Sequence, residues 1–283
     1  LRDGTWEPES SNELFKVKKG NVTIRAEHRH KAILDGNNNT RYGITSKNNL
    51  SNIILDGLQI TGTREGGWFG RSMQNFQYLN MYVHHTGNIV SDDPSAFGKA
   101  IWIGYTDKNT TPARKILIKG LKSFHNGRIP EGSDFAWHDH PIYARAQGMV
   151  IEDCEFIETL SGSDIKIGNE GIKKDIIIRR CKFGFKEYHR PETPKINFIN
   201  DKAGPIANVL IEDCDFYNTT TTYAPIQMWR NGDNVRNVTI KGCRQTNNNP
   251  WIREWKPNNR NAEDHPQVKL SNNLKNYTWD GLT

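Results

Sequence analysis

The chain of 283 residues carries 38 lysines and arginines against 32 aspartates and glutamates, a formal net charge of +6, and 35% of it is apolar. That length accommodates one elongated domain or two compact ones, and no apolar run is long enough to span a membrane. A modest positive balance suits an acidic partner or simply solubility; because the basic residues are spread along the whole chain and no nucleic-acid-binding motif occurs, nucleic acid is not the expected partner.

The opening Leu1-Arg-Asp-Gly-Thr-Trp6 already reads as a turn and a strand, so a cap, signal peptide or domain ahead of Leu1 is expected. Asn21-Val-Thr-Ile24 starts a series that continues with Asn52-Ile-Ile-Leu-Asp-Gly-Leu58, the looser Phe76-Gln-Tyr-Leu-Asn-Met81 and Lys115-Ile-Leu-Ile-Lys-Gly-Leu121. Its later members are Val150-Ile-Glu-Asp-Cys-Glu-Phe156, Ile177-Ile-Arg-Arg-Cys-Lys-Phe183, Leu210-Ile-Glu-Asp-Cys-Asp-Phe216 and Thr239-Ile-Lys-Gly-Cys243, whose cysteines fall 27, 33 and 29 residues apart. Apolar and polar residues alternate in each copy, as in Ile116/Ile118/Leu121, which is a strand period.

A second alternating segment lies upstream of most copies: Ile44-Thr-Ser46, Ile101-Trp-Ile103, Ile142-Tyr-Ala144, Ile165-Lys-Ile167, Ile196-Asn-Phe198, Ile226-Gln-Met228 and Val268-Lys-Leu270. Two or three short strands per repeat, joined by bends rich in Asn and Gly, leave little room for crossover helices and describe one rung of a right-handed parallel β-helix. A rung cannot bury its inner face alone. The expected fold is therefore an all-β solenoid of about eight rungs, residues 1–283 forming one domain. The leucine spacing of leucine-rich repeats, the main competitor at this period, is absent.

Cysteines at one phase of successive rungs should point inward and stack roughly 4.8 Å apart, as core residues rather than ligands or nucleophiles. Glycosylation sequons at Asn21, Asn38, Asn109, Asn218, Asn237 and Asn276 are read as bend asparagines, since Asn tolerates left-handed backbone angles.

Aligned on their inward residues, the upstream strands place Trp102, Tyr143, Lys166, Asn197, Gln227 and Lys269 in one outward column. Lys47, Gly104, Arg145, Gly168, Ile199, Trp229 and Ser271 form the next, with Arg230 following Trp229. Aromatic faces stack on sugar rings and cations pair with carboxylates, so Trp102, Asn197, Gln227, Trp229, Arg230 and Lys269 are expected to bind an anionic polysaccharide. The densest stretch is Trp137-His-Asp-His-Pro-Ile-Tyr-Ala-Arg145. If Ile142 and Ala144 point inward, Tyr143 and Arg145 point outward beside Lys166, with His138, Asp139 and His140 on the loop above.

That set suits proton abstraction next to a carboxylate. Arg145 and Asn197 would neutralise a uronate, Lys166, His138 or His140 would act as base, and Tyr143 as acid or as a base in its own right. A single histidine more often pins a loop by hydrogen bonds. Hydrolysis would need two carboxylic acids, for which Asp134, Asp139, Asp164, Glu170 and Asp201 are candidates, Asp164 being expected beside Lys166. The same acids could ligate Ca²⁺, although no EF-hand-like or nonapeptide calcium motif marks a site, and no cofactor is assigned. The segments Thr63 to Arg71 and Asn247 to Lys256 read as loops walling a groove, with capping of the last rung as the alternative role of Trp251 and Trp255.

In its opening Leu1-Arg-Asp-Gly-Thr-Trp6, similar to a Gly-Thr-Tyr turn, in Thr23-Ile-Arg25 followed by Ala32-Ile-Leu-Asp-Gly36, and in the Ile-Glu-Asp-Cys-x-Phe rungs, the chain resembles the pectate-lyase-like superfamily. The likeness covers nearly the whole chain and implies a fold rather than a reaction. Members include alginate- and chondroitin-type lyases, mannuronan epimerases, polygalacturonases and phage tailspike depolymerases. His138-Asp-His-Pro141 does not keep the epimerases' Asp-Pro-His-Asp order, and no catalytic role is carried over. The expectation is an extracellular enzyme, secreted or virion-associated with the periplasm also compatible, that cleaves an acidic uronate-containing polysaccharide by β-elimination. The alternatives are a glycoside hydrolase or tailspike depolymerase, a C5 epimerase and a non-catalytic polysaccharide-binding protein.

Overall fold

A computed structural model describes residues 1–7, 12–87, 98–104, 113–128, 139–160, 162–168, 173–184, 194–199, 206–217, 224–229, 235–255 and 268–278. Their regular structure is strand throughout, arranged as three parallel sheets of nine strands each, in which every turn of the chain adds one strand to each sheet. Sheet A runs from Gly4–Trp6 to Arg244–Gln245, sheet B from Glu13–Val17 to Ile252–Trp255, and sheet C from Val22–Arg25 to Val268–Ser271. The opening residues do form a strand of the first rung, with Gly4 opposite Ala32.

Nine strands per sheet is close to the expected eight rungs. The difference arises in segments read as loops. Gly66–Arg71 is a strand of sheet B, and its Trp68 is buried in the core, stacked on Phe76 at 4.8 Å between ring centroids. Ile252–Trp255 is likewise the last strand of sheet B. Glycines at 66, 67 and 70 weaken the apolar alternation of the first, so it does not look like a strand in sequence. Val268–Ser271, read as a sheet B strand, instead pairs with Val235–Lys241 in sheet C, Lys269 lying opposite Thr239. Val268 and Leu270 alternate in a way that fits either sheet; the preceding Ile252–Trp255 strand has already filled the ninth place in sheet B.

Corners explain the abundance of Asn. Asn21, Asn52, Asn75, Asn208 and Asn237 all have φ between 51° and 57°, Asn21 just before its sheet C strand and the others at a kink near the start of theirs. Their side-chain amides bond along the stack, Asn52 Nδ2 to Asn21 Oδ1 at 2.7 Å, Asn75 to Asn52 at 2.8 Å and Asn237 to Asn208 at 3.1 Å. Asn is the non-glycine residue that accepts this backbone most readily, and here its side chain also ties neighbouring rungs together. The sequon residues Asn21 and Asn237 are members of this ladder.

Inside, Cys154, Cys181, Cys214 and Cys243 are buried and unbridged, each following a left-handed corner residue. Leu58, Met81 and Leu121 hold the equivalent position in earlier rungs. Burial holds the Cys181 and Cys214 thiols well above their usual range, which leaves them inert core groups. Phe156, Phe183 and Phe216 stack face to face at 5.1 and 4.8 Å, and Trp251 closes the column edge-on to Phe216 at 6.2 Å, as the capping reading expects. Each fully buried ring of this size contributes about 1.5–3 kcal/mol.

Candidate active site

Strand registers in sheet B set up one outward column: Lys16, Thr45, Phe69, Trp102, Tyr143, Lys166, Asn197, Gln227 and Arg253, each directly beside the next. The expected run from Trp102 to Gln227 is present. Arg253, not Lys269, continues it.

A cavity of about 630 Å³ lies over the first six of these strands, from Lys16 to Lys166. Aromatic rings line it in steps: Tyr42 to Phe69 at 4.7 Å, Phe69 to Trp102 at 4.1 Å, and Trp102 to Tyr143 at 6.4 Å with ring planes 2° apart. The Arg71 guanidinium sits 4.9 Å from the Phe69 ring centre and 5.7 Å from that of Trp102. One wall holds Glu65, which accepts hydrogen bonds from Arg41 Nε and, at 2.6 Å, from Tyr42 Oη. Burial and that carboxylate together push the Tyr42 phenol up.

At the other end of the cavity, Tyr143, Arg145, Lys166 and His140 come together. Arg145 donates from Nη2 to Tyr143 Oη at 2.7 Å and from Nε at 3.2 Å, a pairing that stabilises negative charge on the phenol oxygen. Lys166 Nζ lies 5.3 Å from the Tyr143 ring centre, and the His140 ring 6.1 Å from it. His140 Nδ1 lies 2.9 Å from the Ser163 backbone nitrogen and 3.2 Å from the Ser163 carbonyl oxygen, which pins the ring to that turn.

Lys99 completes the set. It lines the same cavity, is only 7% exposed, and its ammonium is pushed down to about 7 by burial. The charges of Lys166 and Arg128 act in the same direction, against those of Asp139 and Glu65. The strand beside it has Gly66 opposite Lys99, where a Cβ would stand 2.8 Å from the Lys99 carbonyl oxygen. No pattern in the sequence singles out Lys99, because it precedes two buried residues, Ala100 and Ile101, at a corner where alternation breaks down. Phe69 and Arg71 did carry a signal: aligning Trp68 with Ile44 and Ile101 places them in the two outward columns.

The acids play other parts. Asp139 is fully buried, bound by Arg128 Nε at 2.9 Å and Nη2 at 3.2 Å and by the backbone N–H groups of Arg128 and Gly98. Asp164 faces Lys195, 3.8 Å away, and Lys195 also donates to the Gly184 carbonyl. Asp134, Glu170 and Asp201 lie outside the described residues, as do His138 and Arg230. Trp229 belongs to the strand Ile226–Trp229, opposite Trp255, with its side chain outside the described part. Among the described residues no three His, Cys, Asp or Glu side chains stand close enough together to hold a metal ion. Asn197, Gln227 and Arg253 are 8%, 2% and 9% exposed, and the Asn197 Oδ1 and Gln227 Nε2 atoms are buried without a hydrogen-bond partner.

No protein-family model matches the sequence, and comparison with curated proteins finds no significant match. Solved structures do match. An alginate lyase from Paenibacillus sp. aligns over 97% of this chain and 91% of its own, with a TM-score of 0.54 at 15% identity. The A-module of the mannuronan C-5 epimerase AlgE4 of Azotobacter vinelandii aligns over 97% and 86%, with a TM-score of 0.53 at 10% identity. An endo-xylogalacturonan hydrolase from Aspergillus tubingensis aligns over 96% and 78%, with a TM-score of 0.51 at 12% identity. The chain is thus a right-handed parallel β-helix, a fold it shares with proteins that act on polysaccharides.

Proposed function

We propose that the chain is an enzyme acting on an acidic, uronate-containing polysaccharide laid along sheet B, and that it cleaves by β-elimination. The observation that carries this reading is the meeting of Lys99, His140, Tyr143, Arg145 and Lys166 at one end of an open groove lined with aromatic rings and cations. In the proposed reaction the Lys166 ammonium pairs with the uronate carboxylate and makes the C5 proton acidic. Lys99, part of which is unprotonated near neutral pH, takes that proton. The C4–O4 bond breaks, a C4=C5 double bond forms, and Tyr143 delivers a proton to the departing O4 while Arg145 holds the resulting phenolate. Solvent exchange returns the proton from Lys99 to Tyr143. A retaining or inverting hydrolase would need a pair of carboxylic acids free to act, and among the described candidates Asp139 and Asp164 are held in internal ion pairs.

The test is ultraviolet absorbance of the unsaturated uronate product during incubation with alginate, pectate, chondroitin, hyaluronan and heparin-like chains, each with chelator and with added calcium. A rise on one polymer supports elimination and identifies the sugar, and the chelator arm decides metal dependence. Release of reducing ends without absorbance would overturn it in favour of hydrolysis. Inverted C5 configuration without cleavage would make the protein an epimerase, and binding without either change a binding module.

A further inference from the structure

We infer that the outward face of sheet A carries a binding site for a divalent transition-metal ion of the copper or nickel type, held by the Nδ1 atoms of His84 and His85. The site is independent of the groove on sheet B. In the strand Tyr82–His84 the buried Val83 points inward, so Tyr82 and His84 face out. His85 follows at a corner with φ 52°, where the neighbouring rung has Gly62 with φ 62°. A non-glycine residue adopts that backbone at a cost. Across the corner the two imidazoles stand edge to face, with their Nδ1 atoms 2.7 Å apart. Two nitrogens bound at a right angle to one ion, each at about 2.0–2.1 Å, stand roughly 2.9 Å apart. The pair already has nearly that spacing. The tetrahedral angle that zinc prefers would need about 3.3 Å, so square-planar or octahedral geometry fits better, and with it copper(II) or nickel(II).

The surroundings hold both rings in place. Tyr82 packs on His84 at 4.5 Å between ring centroids, while His85 meets Phe124 edge-on at 5.6 Å and stacks on His125 at 4.9 Å. On the adjacent strand, the Gln59 amide meets the outer nitrogen of His84 at 2.9 Å, and Thr61 Oγ1 lies 3.2 Å from His84 Nδ1. A hydrogen-bond partner on the outer nitrogen fixes the orientation of a ligating imidazole, and the Thr61 hydroxyl offers an oxygen beside the ion. Both rings are neutral near pH 7. Burial pushes His84 down to about 4, with His85 acting the same way against Asp35, and burial and His125 hold His85 below its usual range. The proton that the two Nδ1 atoms share moves to an outer nitrogen when an ion takes its place. Among the described residues no third His, Cys, Asp or Glu side chain joins the pair, and His125 presents its Nδ1 to Glu158 at 3.6 Å. The remaining positions on the ion therefore go to water, which leaves it exchangeable.

The test is calorimetric titration of the metal-stripped full chain with Cu²⁺, Ni²⁺ and Ca²⁺, with electron paramagnetic resonance of the copper form. One copper per chain showing coupling to imidazole nitrogens is expected, with nickel weaker and calcium not competing. The double variant His84→Gln, His85→Gln should bind copper weaker by roughly tenfold or more, and His28→Gln should bind it as the wild type does. Equal affinity in the double variant, or copper bound in no fixed ratio, overturns the site and leaves an adventitious ion only. Because the double variant also removes packed rings, a second measurement uses the wild-type chain with isotope-labelled histidine. Substoichiometric copper should broaden the His84 and His85 ring signals first. Broadening that begins at histidines away from sheet A overturns the inference.

Discussion

Sheets B and C each stack nine parallel strands, yet their outward faces treat charge in opposite ways. On sheet C the column runs Lys119, Glu152, Arg179, Glu212, Lys241, alternating in sign from rung to rung. Lys119 and Arg179 meet Glu152 at 3.0 and 2.6 Å, and Lys241 meets Glu212 at 2.6 Å. Burial alone would raise the Glu152 carboxyl, but these cations outweigh it and hold it below its usual range. On sheet B the column carries aromatic rings, amides and cations in succession, and no acid follows a lysine along it. A face that served only the fold would look like sheet C. The contrast ties sheet C's charge to the stacking of rungs and leaves sheet B's cations for the proposed ligand, a distinction that net charge alone cannot make.

That contrast breaks first at Lys99. Lys99→Met should lower turnover on the order of 100-fold or more while the melting temperature holds or rises, because a desolvated amine is replaced by an apolar chain of similar length. In the wild type, kcat/KM should increase as pH rises through about 7, where Lys99 loses its proton, and the variant should lose that limb. Rate profiles and thermal melts on the same preparations check both. Next in size, Trp102→Ala removes a ring from the groove; polymer affinity measured by titration should fall about tenfold, or ~1.4 kcal/mol, with little change in stability.

The sheet C counterpart is Glu152→Gln, which strips the carboxylate shared by Lys119, Arg179 and Arg180. Urea unfolding should show a loss of about 1–2 kcal/mol, with polymer binding unchanged. Sheet A supplies the smallest effect. His84 packs against Tyr82 and His85, bonds to Gln59 and Thr61, and is pushed down to about 4 by burial and by His85, against Asp35. Its folded value lies below the unfolded one, so the unfolded chain binds more protons across that window. Stability should therefore fall as pH drops from about 6.5 toward 4, and His84→Gln should flatten that slope in urea titrations.

The repeat made the architecture readable because a strand period and a cysteine phase recur without regard to the side chains facing solvent. Trp102, Tyr143, Lys166, Asn197 and Gln227 were placed correctly for the same reason: each follows an isoleucine whose inward direction fixes its own. Elsewhere that anchor is missing. Trp68 is the inward residue of a strand half made of glycine, so Phe69 and Arg71 passed for loop residues, and Lys269 was assigned to the wrong sheet because Val268 and Leu270 fit either one. Glu65 and Lys99 sit at corners, where the direction of a side chain depends on the path of the turn and on packing against neighbouring rungs. Their roles come from burial and from distant partners such as Asp139, none of which leaves a local mark.

Each strand bonds only to the strand of the rung before it and the rung after, so terminal rungs have one neighbour where inner ones have two. Among the described residues, Trp6 in the first rung and Leu270 and Leu274 in the last are the exposed large apolar side chains, 41%, 37% and 58%. Tyr143 and Lys166 stand on the fifth and sixth of nine strands, each clasped by a strand on both sides, so the groups proposed to move protons rest on fully paired backbone.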